Sequence, residues 1–421
     1  MSSKAGVVIA GAGQAGFQVA AALREMKYAA RIVIVGEEPY PPYQRPPLSK
    51  AYLLGTTDEA AISLRPESFY TDRNIELRTG RKVVALDRGH HHVALDDDSV
   101  LAYDKFVFAV GARNRVLPVH GAHLPGVHYL RTLDDARALK MALTVRNVVI
   151  VGAGFIGLEC ASSAVKLGLN VTVLEVADRP MARALSAAMA AILAREHADQ
   201  GVRFMFKTQI LHILGDARGV VAIETVEHER VPADIVLIGI GVEPNVEVAA
   251  AAGLVVGNGI VVDELLRTSD PDVSAIGDCA AHPSPFAGLG SLVRLESVQN
   301  ATDQARCLAA SLAGNETRYA SLPWFWSDQG SLKLQIAGLT QGYDQAVVRG
   351  DVSGVSCSVF CFKGQRLIGV ETINRPGEHM LARRLVQQRI RVTPEQVADE
   401  AFDLRTLLTS KAGPAAIRAI T

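Results

Sequence analysis

VVIAGAGQAGF, residues 7–17, is the stretch that decides the fold, and VVIVGAGFIGL, residues 148–158, repeats it. Each begins with an apolar run typical of a buried strand and continues into Gly-x-Gly-x-x-Gly at the start of a helical pattern. An acidic residue follows each motif by about 20 positions, Glu37 in the first copy and Glu175 in the second. One copy alone is a weak signal, so it is the repetition that predicts two dinucleotides held by one chain.

The glycines of the first motif have separate physical tasks. Gly11 permits a tight turn, Gly13 lets backbone N–H groups approach a pyrophosphate, and Gly16 lets the helix pack close to the strand. The helix N-terminus adds unpaired donors and the positive end of a dipole. Glu37 can then accept hydrogen bonds from the ribose hydroxyls. The alternative is a glycine-rich turn without a ligand, which leaves the joint presence of strand, helix and acid unexplained.

The second motif repeats this pattern with Gly152, Gly154 and Gly157. A carboxylate at Glu175 favours a free ribose 2′-hydroxyl and repels a 2′-phosphate, so the sequence favours NADH over NADPH. Arg179 and Arg183 weaken this preference, because either could bind a phosphate or could simply be solvated.

Composition limits the class of protein. The 421 residues are enough for two or three domains, and an apolar fraction of 49% fits an α/β protein with large cores. A formal net charge of −1 provides no strong global field for nucleic acid. No secretory signal pattern is visible, and the most apolar window, residues 148–165, is interrupted by Glu159 and several glycines. We expect a cytoplasmic protein without nucleic-acid or membrane partners.

The order of strands and motifs predicts three domains. KFVFAVGAR, residues 105–113, reads as a buried strand ending in a turn, and the second motif then opens a new unit that continues to about Asn245. The strand in SDPDVSAIGDCA, residues 269–280, does not belong naturally to that unit, so the chain returns to the first domain. We expect an α/β fold with two Rossmann-like domains and a smaller C-terminal α+β domain, at residues 1–113 with 244–320, 114–243 and 321–421.

Three further segments carry chemistry. YPPYQRPPLSK, residues 40–50, is a stiff loop because proline fixes φ, and it follows the second strand at the sheet edge where ligands bind. Asp278 follows an apolar strand and could accept from a ribityl hydroxyl or act as an ordinary cap. Trp324 and Trp326 alternate in a strand-like run and so share a face.

The chain resembles the FAD-dependent, NADH-driven ferredoxin reductases of the putidaredoxin reductase type, with the palustrisredoxin reductase branch most similar. The resemblance covers nearly the whole chain and implies a glutathione-reductase-like arrangement of an FAD-binding domain and an NAD-binding domain. The segments that carry it, besides the two glycine motifs, are residues 43–50, 277–279, 296–301 and 324–329.

This resemblance implies roles for individual residues. The FAD site is implied at Gly11, Gly13, Gly16, Glu37, Arg45, Lys50, Ala112, Arg131, Asp278, Val298 and Trp326. The NADH site is implied at Gly152, Gly154, Ile156, Gly157, Glu159 and Glu175. The cofactor-binding set is completed by Ala15, Gly241 and Glu296. Lys50 and Glu159 are implied as the catalytic pair at the flavin–nicotinamide junction.

Elementary chemistry supports part of this and leaves alternatives open. A Lys50 ammonium held near the flavin would stabilise charge on the reduced ring, but the residue could also be a surface lysine. Glu159, expected in the first turn of its helix, could meet the nicotinamide or only interact with the helix dipole. The tryptophans could cover the flavin or pack in a core.

The implied activity is electron transfer from NADH through FAD to a two-iron, two-sulfur ferredoxin that serves a haem-thiolate monooxygenase or similar oxygenase. Such ferredoxins are acidic, so a basic docking patch is expected, with Arg65 and Arg306 as candidates, although either could be merely solvated. We expect a monomer or weak dimer.

Rival activities differ in their need for sulfur. A disulfide reductase needs a cysteine pair beside the flavin, and none of the five cysteines is in a Cys-x-x-Cys motif. A peroxide or oxygen reductase would carry its redox cysteine after the second strand, where this chain has residues 46–49, Pro-Pro-Leu-Ser. A monodehydroascorbate-type reductase and a flavin redox sensor resembling apoptosis-inducing factor stay open. No catalytic metal is expected.

Overall fold

The computed structural model describes residues 5–288 and 290–409, which form two compact units. The first unit consists of residues 5–180 and 196–321, and the second of residues 181–195 and 322–409. The predicted three-domain boundaries stay a prediction, and their outer ends at residues 1 and 421 lie outside the described residues.

The elements follow one another in four runs. The first is β1 (Val7–Ala10), α1 (Gln14–Glu25), β2 (Ile32–Gly36), a 3₁₀ turn (Pro46–Ser49), α2 (Glu59–Ile62), α3 (Glu67–Asp72), β3 (Ile75–Thr79), β4 (Val83–Asp87), β5 (His92–Leu95), β6 (Val100–Ala102), β7 (Lys105–Phe108) and β8 (Ala112–Asn114). The second is β9 (Val127–Tyr129), α4 (Leu133–Ala142), β10 (Asn147–Val151), α5 (Phe155–Lys166), β11 (Asn170–Glu175), α6 (Ala187–Asp199), β12 (Val202–Phe206), β13 (Ile210–Asp216), β14 (Gly219–Thr225), β15 (Arg230–Pro232), β16 (Ile235–Ile238) and β17 (Val242–Pro244).

The third run is α7 (Glu247–Ala251), β18 (Val256–Gly257), β19 (Gly259–Val261), β20 (Val273–Ala275), a 3₁₀ turn (Gly277–Cys279), β21 (Ala280–Pro283), β22 (Leu292–Val293) and α8 (Val298–Leu312). The fourth is β23 (Trp324–Gln329), β24 (Leu332–Gly338), β25 (Gln345–Asp351), β26 (Ser356–Lys363), β27 (Arg366–Ile373), α9 (Pro376–Gln387), α10 (Pro394–Ala398) and α11 (Thr406–Thr409).

The first glycine motif lies at the centre of a parallel sheet. Its strand order is β20-β7-β1-β2-β3, and β1 is buried along its whole length because both faces of such a sheet are covered. β20 pairs with β7, so the chain does return to this sheet after the second motif. The run at residues 105–113 is a buried strand that ends in a turn, as predicted: β7 ends at Phe108, and Gly111 turns the chain at φ +65°.

The second motif is built in the same way. The parallel sheet β12-β11-β10-β16-β9 places β10 at its centre, with β11 ending at Glu175. The window at residues 148–165 is therefore strand, turn and helix. Along residues 5–288 and 290–409, no helix is both long and apolar enough to cross a bilayer.

The second unit is an antiparallel sheet with helices. Its strand order is β23-β24-β27-β26-β25. Helix α10 begins at Pro394, and the capping box formed by Thr393 and Gln396 supplies two hydrogen bonds at its N-terminus. With the two parallel sheets of the first unit, this sheet confirms the predicted fold class.

Candidate active site between the two glycine motifs

Two glycines of the first motif are required by the protein itself. Gly11 has φ +114°, and a Cβ atom there would lie 2.1 Å from the carbonyl oxygen of Ala109. A Cβ atom at Gly16 would lie 1.9 Å from the carbonyl oxygen of Gly11. Only glycine fits at these two positions, because one lies in a turn that disfavours other residues and both touch backbone.

Gly13 differs, because nothing in the described part of the chain requires a glycine there. Its φ of −86° is open to any residue, and a Cβ atom would have no described atom within 4 Å. The second motif has the same contrast. A Cβ at Gly157 would lie 2.2 Å from the Gly152 carbonyl oxygen, whereas at Gly154 the nearest atom is 3.9 Å away. Each middle glycine therefore leaves an open cradle at a helix N-terminus, which fits the phosphates of a dinucleotide.

The two motif acids are in different environments. Glu175 is half-buried, and its two carboxylate oxygens accept hydrogen bonds from the backbone N–H of Ala153 at 2.7 Å and of Ala177 at 2.9 Å. Glu37 is 69% exposed and pairs with Lys82 at 3.0 Å. Glu175 thus ties the end of β11 to the second glycine turn, while Glu37 keeps most of its surface open.

Arg45 belongs to a polar cluster that the sequence did not reveal. It pairs with Glu38 at 2.6 Å and donates to the carbonyl oxygen of Arg131 at 2.5 Å. The Tyr43 hydroxyl donates to Glu38 and accepts from the Leu133 amide. Burial raises the pKa of Tyr43 well above its ordinary value, so the phenol keeps its proton and remains a donor.

The predicted residues at the end of β20 meet the same cluster. Arg131 pairs with Asp278 at 3.0 Å, so the acid is bound by a side chain from a segment 147 residues away. Ala112 is buried in β8, and Ala15 lies on α1 against Gly277. Val298 is the first residue of α8, and Glu296 just before that helix pairs with Arg294 at 2.7 Å.

Lys50 and Glu159 are brought together by the fold. The Lys50 ammonium lies 2.7 Å from Oε2 of Glu159, which is 4% exposed. The Ser49 hydroxyl donates to the same oxygen at 2.5 Å, and the Ser163 hydroxyl donates to the Ser49 carbonyl at 2.8 Å. The turn that follows the first motif is thereby fastened to the helix of the second motif.

The expected position of Glu159 in the first turn of its helix is wrong. Gly154 is the N-cap of α5 and Phe155 its first residue, so Glu159 lies in the second turn. The contacts with Lys50 and Ser49 explain how a carboxylate is stabilised at this buried position. An interaction with the helix dipole is not needed to explain it. Sequence reasoning missed Ser49, whose only signal was its place between a proline pair and Lys50.

The remaining predicted residues occupy varied positions. Ile156 is 43% exposed at the start of α5, unusual for an isoleucine beside a buried strand. Gly241 has φ +99° and accepts from the Arg115 amide. The Arg65 guanidinium lies 5.9 Å from the centre of the Phe17 ring, and Arg306 is exposed on α8.

Trp326 lies in the second unit, on β23. Its ring centre is 5.5 Å from that of Trp324, so the two side chains do share a face. Its implied approach to the isoalloxazine ring stays a prediction.

Burial keeps Cys160 and Cys279, two cysteines of the first unit, in the thiol form. Cys160, next to Glu159 in the chain, is 3% exposed, and burial raises the pKa of its thiol far above the ordinary value. Burial likewise raises the pKa of Cys279 to about 12. A thiol of this kind keeps its proton at neutral pH and is a poor nucleophile.

Two nucleotide cradles, with a buried ion pair between the loop that follows β2 and the helix of the second motif, are typical of a nucleotide-linked oxidoreductase. The chain belongs to the pyridine nucleotide-disulphide oxidoreductase family, whose model matches residues 5–305, and a reductase C-terminal domain matches residues 324–408.

Similar proteins cover almost the whole chain. Rhodocoxin reductase from Rhodococcus erythropolis is 52% identical, over 95% of this chain and 93% of that protein. Putidaredoxin reductase CamA from Pseudomonas putida is 39% identical, over 97% of this chain and 98% of that protein. The crystal structure of a ferredoxin reductase for the CYP199A2 system from Rhodopseudomonas palustris matches with a TM-score of 0.93 at 47% identity, over 95% of this chain and 98% of that one.

A second solved structure is the covalent complex of putidaredoxin reductase with putidaredoxin. Its reductase matches with a TM-score of 0.93 at 39% identity, over 97% of this chain and 99% of that one. These matches confirm the resemblance drawn from the sequence, and family membership confirms FAD and NAD as the cofactors.

Proposed function

We propose that the protein is an NADH-dependent flavoprotein reductase that passes electrons through FAD to a two-iron, two-sulfur ferredoxin serving a haem-thiolate monooxygenase or similar oxygenase. The observation that carries the proposal is the Lys50–Glu159 pair at 2.7 Å, which joins the two nucleotide-binding halves without a cysteine between them. Family membership and the names of the relatives, several of which are ferredoxin reductases, support the same activity.

The binding residues are proposed from the two cradles. FAD would be held by the first motif with Glu37, Arg45, Ala112, Arg131 and Asp278, and NADH by the second motif with Ile156 and Glu175. FAD, when bound, supplies the acceptor for a hydride from NADH and the release of its two electrons one at a time. The protein aligns the rings, excludes water and holds the Lys50 ammonium where it can stabilise negative charge.

NADH is proposed as the electron donor in preference to NADPH. Glu175 places a carboxylate at the end of β11, which would repel a 2′-phosphate. Arg179, one of the two nearby cations that weaken this inference, pairs with Asp178 at 3.0 Å. Part of its charge is therefore already compensated.

The activity is tested by steady-state oxidation of NADH with a panel of purified ferredoxins. We expect sustained turnover with at least one ferredoxin and much slower oxidation of NADPH. Turnover with monodehydroascorbate alone would favour that rival reductase. Long-lived reduced flavin with bound NAD⁺ and no turnover with any acceptor would favour a redox sensor.

The docking role of Arg306 gives a sharper test. Arg306→Glu should lower the rate of ferredoxin reduction by about tenfold at low salt, because a rim charge acts mainly on association. Reduction of ferricyanide should be unchanged. The matched control is Arg218→Glu, which reverses a 90% exposed arginine in the β13–β14 turn. Equal loss with both acceptors would contradict docking at Arg306.

The monomeric or weakly dimeric state and the cytoplasmic location remain part of the proposal. Sedimentation velocity over a range of protein concentrations tests the first, and fractionation of the producing cell tests the second.

A further inference from the structure

We propose that Ser49 is a positioning residue for hydride transfer, whose hydroxyl fixes the Glu159 carboxylate, and through it the Lys50 ammonium, at the junction of the two nucleotide sites. This inference rests on the proposed function. Ser49 itself is 2% exposed and acts through its neighbours.

The geometry leaves the Ser49 hydroxyl one strong partner. It lies 2.5 Å from Oε2 of Glu159 and 3.5 Å from the carbonyl oxygen of Pro46. The second distance is too long to compete with a hydrogen bond to a carboxylate, which is both shorter and stronger than one to a neutral acceptor. The hydroxyl therefore donates to Glu159.

Two donors to one oxygen restrict the orientation of the Glu159 carboxylate more than the ion pair with Lys50 alone could. Oε2 of Glu159 accepts from the Ser49 hydroxyl and from the Lys50 ammonium at 2.7 Å. An ammonium on a flexible stem imposes little direction, whereas a buried hydroxyl in a proline-fixed turn imposes a single one. Ser49 thus supplies the orientation that Lys50 lacks.

The backbone of Ser49 is fixed independently. The Ser163 hydroxyl on α5 donates to the Ser49 carbonyl at 2.8 Å, and both serine side chains are buried. The residue spans the boundary between the first motif's loop and the second motif's helix. Removal of the Ser49 hydroxyl oxygen should therefore alter the positions of Glu159 and Lys50, where the two nucleotides would meet.

The experiment follows reduction of bound FAD by NADH in single-turnover stopped flow, without oxygen. Ser49→Ala should lower the reduction rate constant by about tenfold, the loss expected for one hydrogen bond to a charged group. The NADH dissociation constant should change by less than about threefold. The charge-transfer absorbance of the reduced protein with NAD⁺ should weaken, since it reports the stacking of the two rings. Ser49→Thr, which keeps the hydroxyl, should restore both.

Ser162→Ala is the matched control. Ser162 is a buried serine on α5, the helix that carries Glu159, and its hydroxyl has no hydrogen-bond partner among the described residues. Loss of this hydroxyl should therefore leave the reduction rate constant and the charge-transfer absorbance unchanged. If Ser49→Ala only lowers the urea midpoint and keeps the wild-type rate per bound flavin and the wild-type absorbance, Ser49 is merely structural and the proposal is overturned. If NADH does not reduce the wild-type flavin, the proposed function itself fails.

Discussion

Gly11 and Gly13 stand two residues apart in the first motif and differ in what surrounds them. Gly11 has a positive φ, and a Cβ atom there would collide with the carbonyl oxygen of Ala109. A Cβ atom at Gly13, at the N-terminus of α1, would point into open space. The same residue type is therefore required by the fold at one position, whereas at the other we expect it to serve a ligand.

Alanine substitutions should separate these two tasks. Gly13→Ala should change the free energy of unfolding of the FAD-free chain by less than about 1 kcal/mol, the usual scale of an N-cap change. It should weaken FAD binding by about tenfold or more, because the methyl group takes space that the pyrophosphate needs. Gly11→Ala should prevent folding.

Urea denaturation and fluorescence titration with FAD measure the two effects. Wild-type FAD affinity in Gly13→Ala would show that the open cradle does not hold the cofactor.

At the scale of elements, α9 buries a histidine against β23. His379 is 1% exposed, its ring centre lies 5.9 Å from that of Trp324, and neither ring nitrogen has a hydrogen-bond partner among the described residues. Burial, aided by the charge of Arg383, lowers the pKa of His379 to about 4. The folded protein therefore binds the proton more weakly than the unfolded chain, so stability is present above pH 6.5 and is lost as the pH falls towards 4.

His379→Phe should remove this acid sensitivity. In the wild type the second unit should lose about 2 kcal/mol of stability between pH 7 and pH 5, and the variant should lose less than half of that. Both tryptophans of the chain, Trp324 and Trp326, lie on β23, so their fluorescence during urea unfolding reports this unit. The same pH dependence in both proteins would show that His379 is not the group that titrates.

At the scale of the whole molecule, the second unit is built from two separate parts of the chain. Residues 181–195 join residues 322–409 in it. The buried Glu371 accepts hydrogen bonds from both the amide and the hydroxyl of Ser186, while Met189 and Leu193 are fully buried. Burial raises the pKa of Glu371, as expected for an acid enclosed in this way.

A chain truncated after Ser321 should therefore not fold stably, although it contains every strand of both parallel sheets. It would expose Met189 and Leu193, each worth about 1.5–3 kcal/mol of burial, and leave the Ser186 amide and hydroxyl without their acceptor. We expect aggregation of the truncated chain, and recovery when residues 322–421 are produced alongside it. Size-exclusion chromatography and FAD content provide the readouts. A monomeric truncated chain with full FAD content would contradict this dependence.

Most features predicted from residue patterns are encoded within about ten neighbouring residues, whereas the return of the chain to the first sheet was inferred from the order of strands and motifs. The glycine spacing and the apolar run of β10 are local, since strand burial and positive φ are properties of a short segment. The run at residues 105–113 was likewise predicted to be a strand ending in a turn, and β7 is followed by a turn at Gly111. The last paired residue, Phe108, was not predicted, because a strand pattern alone does not show where pairing stops.

The amino-acid sequence by itself determined that two dinucleotide cradles occur in one chain, because each cradle is a local motif of strand, turn and helix. The resemblance to a known family implied the pairing of Lys50 with Glu159, but only the tertiary structure decided that Ser49 meets Glu159, 110 residues away along the chain. The tertiary structure also decided that residues 181–195 belong to the second unit. Such contacts depend on how whole sheets assemble, and no local pattern of residues carries that information.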